Sequence, residues 1–186
     1  MIGLLGGAFD PPHNGHVALL RAAKEELGLD RLLVLVAADP GHKHVETPAA
    51  VRLELARAAF PGELVALDEH ARTVDTLRAH PEWTDPVFVI GADEFANFLS
   101  WKEPDEVLSL ARVAVAARPG SSSERLDRVL EGLAKPERVV FFELAEPQTS
   151  SALRSSWRLD DVPPAVAKIV EREGLYGQPR GYTGCS

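Results

Sequence analysis

Short apolar runs alternate with longer amphipathic stretches along the whole chain. The runs at Ile2–Leu5, Arg31–Ala37, Leu64–Leu67, Val87–Ile90, Val113–Ala117 and Val139–Glu143 have the length and apolar continuity of buried strands. The stretches between and after them predict helices at Gly15–Leu27, Pro48–Ala59, Thr73–Ala79, Asp105–Ala111, Ser123–Leu133, Ser150–Trp157 and Pro164–Glu173. In the first helix Val17, Leu20, Ala23 and Leu27 form one apolar stripe, with Arg21, Lys24 and Glu25 left for solvent. Gly28 is placed to end that helix.

This rhythm predicts an α/β fold: a single-domain, Rossmann-like doubly wound parallel sheet with helices on both faces. The domain is expected over residues 1–177, followed by a tail at 178–186. Segments Asp39–Thr47 and Arg118–Ser122 and the tail from Gln178 are the expected least ordered parts. No internal repeat is evident. In such sheets ligands bind beyond the carboxyl ends of the strands, and every chemically suggestive segment of this chain follows a predicted strand.

Composition narrows the function classes. A chain of 186 residues with 45% hydrophobic content can bury a substantial core. The net charge of −8 argues against a general nucleic-acid or anionic-membrane binder, although a local basic cluster can still hold a small anion. One cysteine, Cys185, permits no internal disulfide and no cysteine-based metal site. No signal peptide and no apolar segment of membrane-spanning length are visible, so a cytoplasmic location is expected. A homo-oligomer is compatible with all of this.

The densest chemistry lies at Gly6-Gly7-Ala8-Phe9-Asp10-Pro11-Pro12-His13-Asn14-Gly15-His16, directly behind the first strand. It reads as strand, glycine turn and helix start. Glycines allow close backbone approach, and a helix N-terminus offers free N–H groups and positive dipole. Pro11 and Pro12 stiffen the turn. His13 and His16 fall three residues apart at the helix entrance, where both can face one phosphate chain. GxGxxG is absent, and no Gly-Lys-Ser/Thr follows, so this is neither a dinucleotide fingerprint nor a Walker A loop.

Four more segments carry candidate chemistry. Asp39-Pro40-Gly41-His42-Lys43-His44 is a positively charged loop, with Lys43 a mobile ammonium suited to a phosphate. In Ala71-Arg72-Thr73-Val74-Asp75-Thr76-Leu77, Thr73 or Asp75 is placed to cap the next helix. Gly91-Ala92-Asp93-Glu94-Phe95 precedes Trp101, and Asp93 reads as a helix cap, a role compatible with a further one. In Gln148-Thr149-Ser150-Ser151-Ala152-Leu153-Arg154, hydroxyls at a helix start precede an arginine one turn on. His42, His44, His70 and His80 are scattered and read as loop or surface residues, with His42 the one able to enter the cleft.

Taken in order, these segments resemble the bacterial nicotinate-mononucleotide adenylyltransferases of the HxGH nucleotidyltransferase superfamily. The likeness runs from Ile2 to Gly177 and includes Val162-Pro163-Pro164-Ala165-Val166 and Gly174-Leu175-Tyr176, which look structural. It implies transfer of the adenylyl group of ATP to nicotinate mononucleotide, releasing pyrophosphate, with Mg²⁺ carried mainly by ATP phosphates and water. By the same resemblance, His16, His13 and Arg154 would be catalytic. ATP would be held by Gly6, Gly7, Ala8, Phe9, His13, His16, Gly91, Asp93, Ser150, Ser151 and Arg154. Lys43, Thr73 and Trp101 would bind the mononucleotide, the indole stacking on a pyridine ring. Three departures stand out: Ala8 lacks the usual hydroxyl, Arg72 replaces a tyrosine, and Gln148 replaces an apolar residue. Two readings stay open beside this one. One is a related enzyme acting on nicotinamide mononucleotide or phosphopantetheine; the other is a nucleotide sensor without catalysis.

Overall fold

A computed structural model describes residues 1–41, 45, 47–117, 123–144 and 158–177. Its centre is one six-stranded sheet in the order β3-β2-β1-β4-β5-β6. The strands are β1 (Ile2–Gly7), β2 (Arg31–Ala37), β3 (Leu64–Asp68), β4 (Val87–Gly91), β5 (Arg112–Ala117) and β6 (Val139–Glu143), and all neighbours run parallel. The described helices are α1 (Asn14–Leu27), α2 (Ala49–Ala59), α3 (Thr73–Ala79), α4 (Ala92–Phe95), α5 (Pro104–Leu110), α6 (Ser123–Glu131) and α7 (Pro164–Glu173). The expected helix at Ser150–Trp157 and the tail lie outside the described residues.

Alternation along each central strand explains the two faces. Leu5, Val34, Val36, Val87, Val89, Ala114 and Ala116 pack on one side with Leu20, Leu55, Val166 and Val170 from α1, α2 and α7. Leu4, Leu35, Phe88, Ile90, Val113 and Val115 pack on the other with Val74, Phe95, Val107 and Val129 from α3, α4, α5 and α6. A period of two with both phases apolar is the pattern of a strand buried on both sides. Helix α1 ends where Gly28 takes the left-handed conformation (φ 60°), as its position after the last apolar turn predicts.

Differences from the sequence expectation are small and have plain causes. β1 runs two residues further, because Gly6 and Gly7 keep pairing with Leu35 and Val36. α4 and the 3₁₀ turns at Phe98–Ser100, Pro136–Arg138 and Leu159–Asp161 are too short to show a period. Among the described residues no helix is long and apolar enough to cross a membrane.

The strand order reverses between β1 and β4. Those two strands are paired at Gly3–Val87 and Leu4–Phe88, in their amino-terminal halves. The turns after β1 and after β4 therefore flank the crevice of a topological switch point, where doubly wound sheets bind ligands.

Candidate active site

The turn after β1 is built around an inward-facing aromatic ring. Phe9 has a positive φ of 50° and is 2% exposed. Its ring folds back over Gly7, where an added Cβ would lie 3.1 Å from two ring atoms; at Gly6 an added Cβ would lie 3.0 Å from Phe88 Cζ. The two glycines therefore answer to internal packing, since a side chain at either would press on a buried ring, in addition to any room they leave for a ligand. Of Phe9, only the backbone is available to a nucleotide.

The histidines meet directly. His13 is the extended N-cap residue of α1, and His16 sits in its first turn. Their rings stack at 3.7 Å between centroids with planes 25° apart, while Phe9 meets His16 edge-on at 5.1 Å and Phe60 at 5.6 Å. The His13 backbone N–H donates to Nδ1 of His16 at 3.2 Å. A neutral His16 with Nδ1 as acceptor carries its proton on Nε2, leaving that N–H as its ring donor.

His13 is 8% exposed, and burial pushes its pKa down to about 4, against a smaller upward pull from Asp161. Its imidazole is neutral at pH 7. Between the ordinary value near 6.5 and about 4, the unfolded chain takes up this proton before the folded one. Stability attributable to His13 is thus complete above the upper limit and falls by about 3 kcal/mol as pH drops through the window. Urea unfolding at pH 7 and pH 4 should show a smaller acid loss for His13→Asn, which keeps a good N-cap. Identical losses in both proteins would remove His13 as the titrating group.

Beneath the turn lies a side chain that the sequence reading passed over. Arg52, on the buried face of α2 and 1% exposed, donates from Nη1 to the carbonyls of Ala8 (2.7 Å) and Ala37 (2.8 Å). Its Nη2 donates to Ala38 (3.0 Å) and its Nε to Thr47 (3.0 Å). The signal was available: Arg52, Leu55, Ala56 and Ala59 share one helical stripe, so the arginine occupies a core position. Beside it the Tyr176 hydroxyl, read from sequence only as part of a structural terminus, donates to Asp10 and accepts from Thr47. Burial, then the Asp10 bond, pushes the Tyr176 phenol well above its usual pKa and keeps it a proton donor.

Across the crevice, Gly91 is the extended N-cap of α4, and an added Cβ there would meet open space. Asp93 lies exposed in the first turn of α4. Gly91 rather than Asp93 is thus the cap. Trp101 packs against Phe98 at 5.0 Å and edge-on to Phe88 at 6.0 Å, so part of its ring belongs to the core. At the start of α3 the capping expectation is corrected. Arg72 is the N-cap, with an extended backbone and no side-chain capping bond, and Thr73 is the first helical residue. Asp75 accepts two bonds from Lys102 (2.9 and 3.0 Å), the neighbour of Trp101, and that contact lowers its pKa. Arg72 reaches toward the chain after β2: an added Cβ at Gly41 would lie 2.9 Å from its Nη1.

The described candidates thus cluster at the carboxyl ends of β1, β3 and β4. Gly6, Gly7, Ala8, Phe9, His13 and His16 lie on one side of the crevice, Gly91 and Asp93 on the other, with Thr73 at the end beyond β3. Lys43, Ser150, Ser151 and Arg154, with His42 and His44, lie outside the described residues. The described chain resumes at Arg158 against the start of α1, where Asn14 Nδ2 donates to the Asp160 carbonyl at 3.0 Å. His70 pairs with Asp68, and His80 stacks on Trp83. An open cavity of about 430 Å³ near Asp85, Ser109, Lys135 and Arg138 sits at the amino end of the sheet. Its basic groups already bond Asp85, Ser109 and the Leu108 carbonyl.

Comparison with known proteins agrees with this geometry. The family model described as cytidylyltransferase-like matches residues 4–156. A Bordetella petrii protein named "Probable nicotinate-nucleotide adenylyltransferase" is 35% identical, covering 94% of this chain and 98% of its own. A Thermus thermophilus protein of the same name is 37% identical with the same coverage. Among solved structures, Plasmodium falciparum nicotinic acid mononucleotide adenylyltransferase complexed with NaAD superposes with a TM-score of 0.73 at 17% identity, over 97% of this chain and 98% of that one. That likeness establishes the fold, and the sequence matches establish the family. The chain belongs to the cytidylyltransferase-like nucleotidyltransferases and, among them, to the nicotinate-nucleotide adenylyltransferases.

Proposed function

We propose that the protein transfers the adenylyl group of ATP to nicotinate mononucleotide, giving nicotinate adenine dinucleotide and pyrophosphate. The observation that carries this reading is the stacked His13–His16 pair at the switch-point crevice, with the His16 Nε2–H as donor. A phosphate oxygen of the mononucleotide attacks the α-phosphorus of ATP in line. The new P–O bond forms as the bond to the β-phosphate oxygen breaks, and pyrophosphate leaves with the electron pair. The nucleophile is already anionic, so no general base and no covalent enzyme intermediate are needed.

The protein's work is then positioning and stabilisation of developing charge. His16, seconded by neutral His13, donates to the ATP phosphates, and the backbone of Gly6 to Phe9 faces them. Ala8 brings no hydroxyl, so backbone alone serves there. Ser150, Ser151 and Arg154 hold the β and γ phosphates; the return of the chain beside α1 at Asp160 supports this role. Lys43 holds the incoming phosphate, Thr73 and the start of α3 the nicotinate carboxylate, Trp101 the pyridine ring, and Gly91 and Asp93 the rest of ATP.

Magnesium fits this donor set. Among the described residues no group of three His, Cys, Asp or Glu side chains gathers, and a hard cation that keeps water and phosphate ligands needs no such cage. When bound it neutralises charge on the departing phosphates.

Pyrophosphate release, measured with ATP and each of nicotinate mononucleotide, nicotinamide mononucleotide and phosphopantetheine, is expected to be fastest with the first. A clear preference for the amide would overturn the assignment of substrate. Tight ATP binding with no product from any acceptor would make the protein a sensor.

A further inference from the structure

The segment that carries Trp101 is tied to α3 at two successive residues. Lys102 Nζ donates to both carboxylate oxygens of Asp75, at 2.9 and 3.0 Å. Arg78 Nη1 and Nη2 donate to the two carboxylate oxygens of Glu103, at 3.2 and 2.6 Å. Asp75 and Arg78 are themselves one helical step apart on α3, with 4.0 Å between their charged groups. Each direct contact among the four side chains therefore joins opposite charges.

Stability does not call for this arrangement. All four side chains are a third or more exposed, and exposed pairs contribute little to folding. α3 and α5 already share a core through Val74, Leu77, Val107 and Leu108. Apolar contact is non-directional, whereas charge-assisted bonds made in pairs fix direction as well as distance. Glu103 moreover holds a left-handed backbone (φ 52°), which costs a residue with a Cβ and persists where its surroundings hold it.

The segment held in this way begins at Trp101, and the helix that holds it begins at Thr73. On the function proposed above, on which this inference rests, those residues are two sides of the mononucleotide site. We propose that Lys102 and Glu103 are positioning residues for nicotinate mononucleotide: through Asp75 and Arg78 they fix where the Trp101 ring stands relative to Thr73. A pyridine that bears a carboxylate needs both at one spacing, a ring face to stack on and Thr73 at its charged edge. Loosening the ties displaces one side of that site and leaves the histidine turn after β1 as it was.

Steady-state kinetics on the whole chain, with pyrophosphate release as the readout, test this in Lys102→Met, Asp75→Asn, Glu103→Gly and the double variant Lys102→Met/Asp75→Asn. Each single variant should raise KM for nicotinate mononucleotide about three- to fivefold, the most an exposed pair supplies. Its kcat and its KM for ATP should stay within about twofold of wild type, as for lost uniform binding. The double variant should show no more than the larger single effect, because both changes remove one pair. Lys102→Arg, which keeps a charged donor for Asp75, should retain the wild-type KM. Glu103→Gly suits a left-handed backbone, so it should melt near wild type while still raising KM.

An Asp75→Asn protein with unchanged or lower KM overturns the proposal, since Lys102 would then act on the ligand directly. So do KM effects that multiply in the double variant, and so do variants that melt earlier at constant KM, since the pairs would then be structural only. Failure of the underlying function reads differently, as absence of product when wild type is given ATP and nicotinate mononucleotide.

Discussion

A folded His16→Ala protein should turn over about 10²–10³-fold more slowly than wild type, the scale for losing one preorganised donor to transition-state charge. The argument rests on tautomer and support. The His13 N–H on Nδ1 puts the proton of His16 on Nε2, and the imidazole is held by the stacked ring of His13 and an edge contact with Phe9. A donor fixed before the reaction needs no reorientation as charge develops, so its loss should appear in kcat more than in KM. His16 is only partly buried, so the fold should survive the substitution. Steady-state kinetics alongside circular dichroism would check this. Near-normal kcat in a folded variant would take His16 out of the mechanism.

Phe9→Ala should have the largest effect on stability, about 3–5 kcal/mol, as for other buried aromatic truncations. The ring is almost fully enclosed and touches Gly7, His16 and Phe60. Turnover should fall as well, because His16 loses its edge-on neighbour. The pairing of the two losses is the informative result. Urea midpoints with an unchanged m-value would give the first, and kcat at a temperature where the variant is folded would give the second. A destabilised protein with wild-type kcat would show that Phe9 serves the core alone.

Much of the architecture was legible because two-sided strands and amphipathic helices leave different periods in a sequence. The run Leu32 to Val36 alternates between the two cores as a strand covered on both faces does, and Leu20 with Ala23 lies on the buried side of α1. The histidine turn was legible because its residue types carry the chemistry in themselves. The supports were not. Arg52 looks like one of many helix-surface arginines until the Leu55, Ala56 and Ala59 stripe is recognised as shared. The Tyr176–Asp10 bond joins residues 166 positions apart, and no local pattern reports such a partner. The start of α3 misled for a related reason. Threonine and aspartate are good caps in isolation, but Lys102 takes the Asp75 carboxylate and Arg72 occupies the cap.

The strand order has a consequence for how the chain comes off the ribosome. β1, β2 and β3 are made in succession and pair in succession, whereas the second neighbour of β1 is β4. About 84 residues separate Gly7 from Gly91, on the order of 4–17 s of synthesis at usual elongation rates. Until β4 arrives, the edge of β1 at Gly3 and Leu4 is an unpaired apolar strand edge, the kind that recruits other nascent chains. The seam that later opens as the nucleotide crevice is therefore an edge that the newborn protein leaves exposed while the intervening chain is made.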